Sequence, residues 1–196
     1  MPNGSAMFAH SLPDGAELRL LQPYHADEIF KVIERNRLRL RQWLPWVDRI
    51  RSVADEEQFI CNSLGLLASN GSFQSGIFVE DVFVGAIGLH PIDHANRKVE
   101  LGYWLDSAHE GRGLMTNACR AMVDHAFGAL GLNRVVIYCA VENHRSRAVA
   151  ERLGFKLERI ARQSEWLYDH FVDWASYSML ASEWTHPDST IKSKIY

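Results

Sequence analysis

The chain has 196 residues, of which 47% are hydrophobic and 11% aromatic. Lys plus Arg number 21 and Asp plus Glu 24, so the formal net charge is −3. This length buries a core without staples, the balanced charge excludes global disorder, and the mild acidity argues against a broad nucleic-acid clamp.

Met1 to His10 lacks the basic start and apolar core of a signal peptide, and Asn3-Gly4-Ser5 suggests a flexible leader over residues 1–12. Residues 13–184 are expected to form one domain, with a tail over 185–196. Glu17 to Leu21 alternates and reads as a strand. Tyr24 to Leu40 reads as a helix with Asp27 and Glu28 in its first turn. Ser52 with Asp55 resembles a capping box, opening a helix to about Ala68, and Asn70-Gly71-Ser72 is a turn. Ser75 to Glu80 and Val82 to His90 form a predicted β-hairpin. After a loop over Pro91 to Asn96, Lys98 to Leu105 is a further strand. Gly113 to Leu130 is the strongest helix, with Leu114, Ala118, Met122, Ala126 and Ala129 at helical spacing and Gly131 as its stop. Val135 to Val141 reads as a central strand covered on both faces. His144 to Leu153 is a short helix, and Phe155 to Ile160 and Phe171 to Leu180 are two last strands. The order is a mixed α/β layout around one sheet, not the regular alternation of a dinucleotide fold.

Cys61, Cys119 and Cys139 are far apart, with no CxxC pair, so neither a disulfide framework nor a zinc site is expected. No run of the sequence is long and apolar enough for a membrane helix. The expectation is a cytoplasmic protein without membrane contact.

Glu100-Leu-Gly-Tyr-Trp-Leu-Asp106 is followed by His109-Glu-Gly-Arg-Gly-Leu-Met-Thr116. A strand thus enters a loop with two glycines, and a long helix starts at once. Glycines let backbone amides approach a ligand, and the helix N-terminus adds unpaired N–H groups and partial positive charge. Together they make an anion site suited to a pyrophosphate, with the Thr116 hydroxyl as an added donor. Two such glycines alone fit a tight turn better than a ligand site. The Lys-Ser/Thr of a Walker loop and the third glycine of a Rossmann fingerprint are both missing.

Element order and loop together resemble the GNAT (Gcn5-related N-acetyltransferase) superfamily, whose Gln/Arg-x-x-Gly-x-Gly/Ala motif holds the pyrophosphate of acetyl-coenzyme A. The match here is Ala108-His-Glu-Gly-Arg-Gly113, with Ala108 departing from the usual first residue. Asn143-His-Arg-Ser146 through Gly154-Phe155 looks like the second signature, in which the Asn meets the pantetheine arm. The likeness spans about Glu17 to Trp184. It is nearest the RimJ/RimL-type enzymes, and Ser164-Glu-Trp-Leu-Tyr-Asp169 looks like their ribosomal-protein serine branch. The resemblance implies a mixed, mostly antiparallel twisted sheet flanked by helices, splayed between the strands ending at Leu105 and Val141. It also implies acetyl-coenzyme A as co-substrate, no metal and, as in many members, a homodimer as one option. The implied coenzyme contacts are Trp104 and Leu105, then His109, Glu110, Gly111, Arg112, Gly113, Leu114, Met115 and Thr116, with Asn143 and Ser146.

Acetyl transfer from a thioester needs an amine that loses a proton, a stabilised oxyanion and a protonated leaving thiolate. Glu165 is the first candidate for the base, where the penultimate strand runs out, beside Trp166, which would exclude water. The matching Glu has this role in the serine branch; a solvated loop glutamate is the bland alternative. Ser146 matches the branch's general acid, although with Asn143 it also suits a helix cap. Glu100 is the runner-up base, or a structural residue paired with an Arg or His. It shares a strand face with Gly102 and Trp104, while Tyr103 lies on the other.

Trp43 and Trp46, after the basic run Arg35 to Arg41, are either core anchors at a solvated helix end or an acceptor-binding wall. Glu100 and Tyr103 join them as candidate acceptor contacts. His90 and His94 read as a polar loop, and Cys139 as a buried small hydrophobe. The expected function is acetyl transfer to a primary amine by direct attack in a ternary complex. The acceptor is expected to be a protein N-terminal α-amine. The alternatives are a small amine, such as an aminoacyl-nucleotide antibiotic of the microcin C type, and a non-catalytic acyl-coenzyme A sensor.

Overall fold

The structure, a computed structural model, describes residues 9–185. The tail expected beyond Thr185 and the first eight residues of the leader lie outside the described residues. Ala9–Ser11 form a short strand, β1, within the stretch expected as leader. It pairs antiparallel with β2 (Ala16–Leu20).

α1 (Ala26–Leu40) and α2 (Val53–Asn70) follow. Ser52 Oγ accepts the Asp55 amide at 3.2 Å, and the Asp55 carboxylate accepts the Arg51 amide at 3.0 Å. The shorter acid therefore caps one residue earlier than a Glu would. β3 (Gln74–Val79), β4 (Val82–Leu89) and β5 (Lys98–Leu105) form an antiparallel meander. α3 (Leu114–Gly128), β6 (Arg134–Ala140) and α4 (His144–Arg152) come next. β7 (Lys156–Leu167) and β8 (His170–Leu180) close the fold as a hairpin.

The eight strands lie in the order β1-β2-β3-β4-β5-β6-β8-β7. Each sheet face buries its own cluster. α3 and α4 cover one, around Leu101, Met122, Val135 and Ile137. α1 and α2 cover the other, around Ile29, Ile33, Ile60 and Phe83. Alternation in β5 serves both: Leu101 and Tyr103 join the first cluster and Trp104 the second.

β5 and β6, the one parallel pair among the described residues, match at only three positions, Lys98 to Arg134, Val99 to Val135 and Glu100 to Val136. β4 meanwhile follows β5 as far as Leu105. Beyond Glu100, then, β5 and β6 part, and the sheet splays as the resemblance implied.

β7 is the main departure from expectation. It runs seven residues past Ile160, with two register irregularities. Gln163 sits in the second with φ 49°, and its amide donates to Asp173 Oδ1 at 2.8 Å. As an edge strand exposed along most of its length, it shows no alternation to read.

Candidate active site

The splay opens into a cleft of about 1860 Å³. Every residue expected to act on coenzyme or acceptor lines it, with one exception. Arg112 is exposed, and its guanidinium lies 3.4 Å from the Ala108 carbonyl.

Gly111 and Gly113 have φ of +77° and +78°, a backbone region that disfavours side chains. A Cβ on either would meet no atom within 4 Å, so the cradle is open on the ligand side. α3 then starts at Gly113 with no side-chain cap, which leaves its first amides free for an anion. These features fit a pyrophosphate.

The loop is held from α1. Asp106, buried at the end of β5, accepts from Arg35 at 2.7 Å and from Asn36 at 2.7 Å, and lies 3.1 Å from His109 Nδ1. Burial alone would raise its carboxyl, but these bonds and the Arg35 charge hold it at about 2. Arg39 donates to the Leu105 carbonyl and to Glu110, whose other oxygen accepts from Arg145. Much of the basic run of α1 is therefore engaged within the protein. Arg35 and Arg39 clamp the loop, and Arg37 donates to the Val47 and Ile50 carbonyls. No sequence signal distinguished these arginines from surface ones.

Ser146 stands at the opposite lip of the splay, in the first turn of α4. Asn143 caps that helix, its Oδ1 accepting the Ser146 amide at 3.2 Å. The Tyr103 hydroxyl lies 3.1 Å from Ser146 Oγ and donates to the Ser146 carbonyl at 3.1 Å, bridging the two arms. Burial pushes the Tyr103 phenol well above its ordinary range. It also raises the Cys139 thiol, so Cys139 is a neutral wall of the cleft, as expected from sequence.

Glu165 lies within β7, opposite Val172, and not at the strand's end. Its neighbour Trp166 is 55% exposed and packs edge-on against Phe171 at 4.8 Å, so it does not shield the carboxylate. The tryptophan that meets the carboxylate is instead Trp174 of β8. Its indole N–H donates to Glu165 Oε2 at 2.8 Å, and its ring stacks on Tyr138 at 5.5 Å. Burial raises the Glu165 carboxyl, the Trp174 bond opposes this, and the charge of Glu100 adds to it. Glu100 has the histidine partner foreseen for it: His90 Nε2 is 3.9 Å away. His90 is thus part of the cleft, whereas His94 contacts the Asn70 carbonyl at 2.8 Å. On the far wall Trp46 meets Trp104 at 6.2 Å, with Trp43 nearby in the lining.

Comparisons with known proteins bear on the family and the fold. The acetyltransferase (GNAT) domain family model matches residues 16–156. YdaF of Bacillus subtilis (strain 168), provisionally named a ribosomal N-acetyltransferase, is 36% identical over 91% of this chain and 98% of its own. The ribosomal-protein-serine acetyltransferase of Escherichia coli (strain K12) is 32% identical over 85% and 93%. The solved structure of RimL, a ribosomal L7/L12 alpha-N-protein acetyltransferase in complex with coenzyme A, superposes with a TM-score of 0.85. It is 26% identical, covering 88% of this chain and 98% of that one.

Proposed function

This chain belongs to the GNAT acetyltransferase family, and on that footing we propose that it acetylates the N-terminal α-amine of a ribosomal protein in the cytoplasm. Acetyl-coenzyme A is the donor. The names of the relatives point to this acceptor. The observation that carries the mechanism is that one cleft holds both the Gly111–Gly113 cradle and the Glu165 and Ser146 side chains. Donor and acceptor can then be bound together, and transfer needs no acyl-enzyme.

The cradle and the first amides of α3 hold the pyrophosphate, and the pantetheine arm follows the splay toward Asn143 and Ser146. Glu165 accepts a proton from the incoming ammonium or from the attacking nitrogen. The nitrogen forms the C–N bond as the C–S bond breaks, and Ser146, coupled to Tyr103, offers the thiolate a proton. Glu165 is favoured over Glu100 because Glu165 is pushed toward neutrality by burial and also held by Trp174. A base with a raised pKa takes a proton more readily near neutral pH.

Coenzyme A release with acetyl-coenzyme A and an amine panel tests the reading, with product mass as confirmation. The panel holds Ser-, Ala- and Met-starting peptides, an aminoacyl-nucleotide, a polyamine and free amino acids. Turnover confined to peptides is the expected result. Turnover on the aminoacyl-nucleotide alone would move the function to detoxification. Binding of acetyl-coenzyme A without any turnover would favour the sensor.

A further inference from the structure

The core beneath α2 is not closed. The helix turns three residues fully inward, Glu56, Ile60 and Ser63, and two of these are polar. A helix that only packs on a sheet would fill this row with apolar side chains. Glu56 is 4% exposed, and among the described residues no side chain or amide pairs with its carboxylate, burial being the one influence on its titration. Just past the helix, Ser72 is 1% exposed, and its hydroxyl has no hydrogen-bond partner among the described residues. Both line the cleft that holds Glu165.

The floor opposite is also polar. Gly88 and Gly102 stand side by side in β4 and β5 on the α2-facing surface. Their missing side chains admit two polar neighbours: a Cβ on Gly88 would lie 2.0 Å from Gln74 Oε1, and one on Gly102 would lie 2.6 Å from His90 Nε2. From there His90 leads to Glu100. The cleft's arginines are engaged at the cradle or exposed. Arg39 and Arg145 are held by Glu110, Arg152 lies 3.5 Å from Thr116 at the cradle, and Arg49 is exposed.

We propose that the recess between α2 and the sheet is an acceptor subsite for a second, positively charged nitrogen. That group is an ammonium or guanidinium a few bonds beyond the amine to be acetylated, and Glu56 is its counter-ion. A buried carboxylate without partners costs stability, and a cation returns that cost on binding. Burial alone raises the Glu56 carboxyl to about 7, so a nearby cation can ionise it at neutral pH. Ser72 and Gln74 supply oxygens for the remaining N–H groups. The inference rests on the acetyltransferase reading above and narrows its acceptor to one with two nitrogens of different fate.

Two matched pairs test it, by calorimetry on the coenzyme A-saturated protein and by kcat/KM with acetyl-coenzyme A as donor. One pair is a Ser-Lys peptide against its Ser-norleucine counterpart. The other is 1,5-diaminopentane against pentylamine. The member of at least one pair that carries the second basic nitrogen should bind about tenfold tighter or more. In Glu56→Gln that ratio should fall toward one. If Glu56→Gln does not fold, Ser72→Ala should reduce the ratio in the same sense. No preference in either pair, or a preference that survives both substitutions, overturns the subsite. Acetylation of amines but of no peptide overturns the ribosomal-protein reading alone, because the amine pair still reports on Glu56.

Discussion

Glu165 holds its proton between opposing influences. Burial and the Glu100 charge favour the neutral acid, while the Trp174 indole favours the carboxylate. A base works only when ionised, so kcat/KM should rise with pH through a pKa above the usual glutamate value. Glu165→Gln should lower kcat by ~10²-fold or more with little change in coenzyme A affinity. Trp174→Phe removes a bond to the charged form, so the acid limb of the kcat/KM profile should move to higher pH. An unmoved limb would deny Trp174 this role, and a loss seen in Glu100→Gln but not in Glu165→Gln would reassign the base. The sequence singled out Glu165 but placed Trp166 beside it, whereas the side chain that meets the carboxylate is Trp174. Trp166 and Trp174 are indistinguishable as letters, and which one faces Glu165 depends on hairpin register and an irregularity at Gln163.

At the scale of elements, legibility followed burial. α3 and β6 bury apolar rows, Leu114, Ala118, Met122 and Ala126 in one and Val135 to Ile137 in the other. A fully buried Leu or Met is worth roughly 1.5–3 kcal/mol, and such rows impose a period. β1 and the outer half of β7 bury almost nothing, so they carry none. The cradle was legible because its chemistry is backbone chemistry: left-handed φ at two positions leaves a glycine signature. That argues for Gly113→Ala as the test of the element. Its strain should cost about 1 kcal/mol of stability. Its methyl would enter the open space over the α3 amides, so the Kd for coenzyme A should rise about tenfold or more. The thermal midpoint checks the first effect and calorimetry the second. A stability loss with unchanged affinity would mean that the phosphates lie elsewhere.

Across the whole molecule, the site exists because the sheet is pulled apart and both halves are braced. Three parallel pairs join β5 to β6, and beyond them the arms meet through Tyr103 and Ser146, with Asp106 and the α1 arginines fixing the loop between. The α/β order and the splay follow from the two GNAT-like motifs, but the recess under α2 does not. Glu56 sits at an ordinary helical spacing, and only the finished packing shows that no described residue pairs with its carboxylate. Its effect on folding has a definite sign. Unfolded, its pKa is near 4.5, and in the fold about 7. Below pH 4.5 both states carry the proton and stability is unaffected. Between 4.5 and 7 the unfolded chain releases it first, so stability falls as pH rises and stays reduced above 7. The loss is on the order of 3 kcal/mol, or several degrees in Tm for a chain of this size. Glu56→Gln should therefore melt several degrees above the parent at pH 8 and close to it at pH 5. An equal difference at both pH values would mean that the carboxyl is ionised in the fold throughout, and that something already balances its charge.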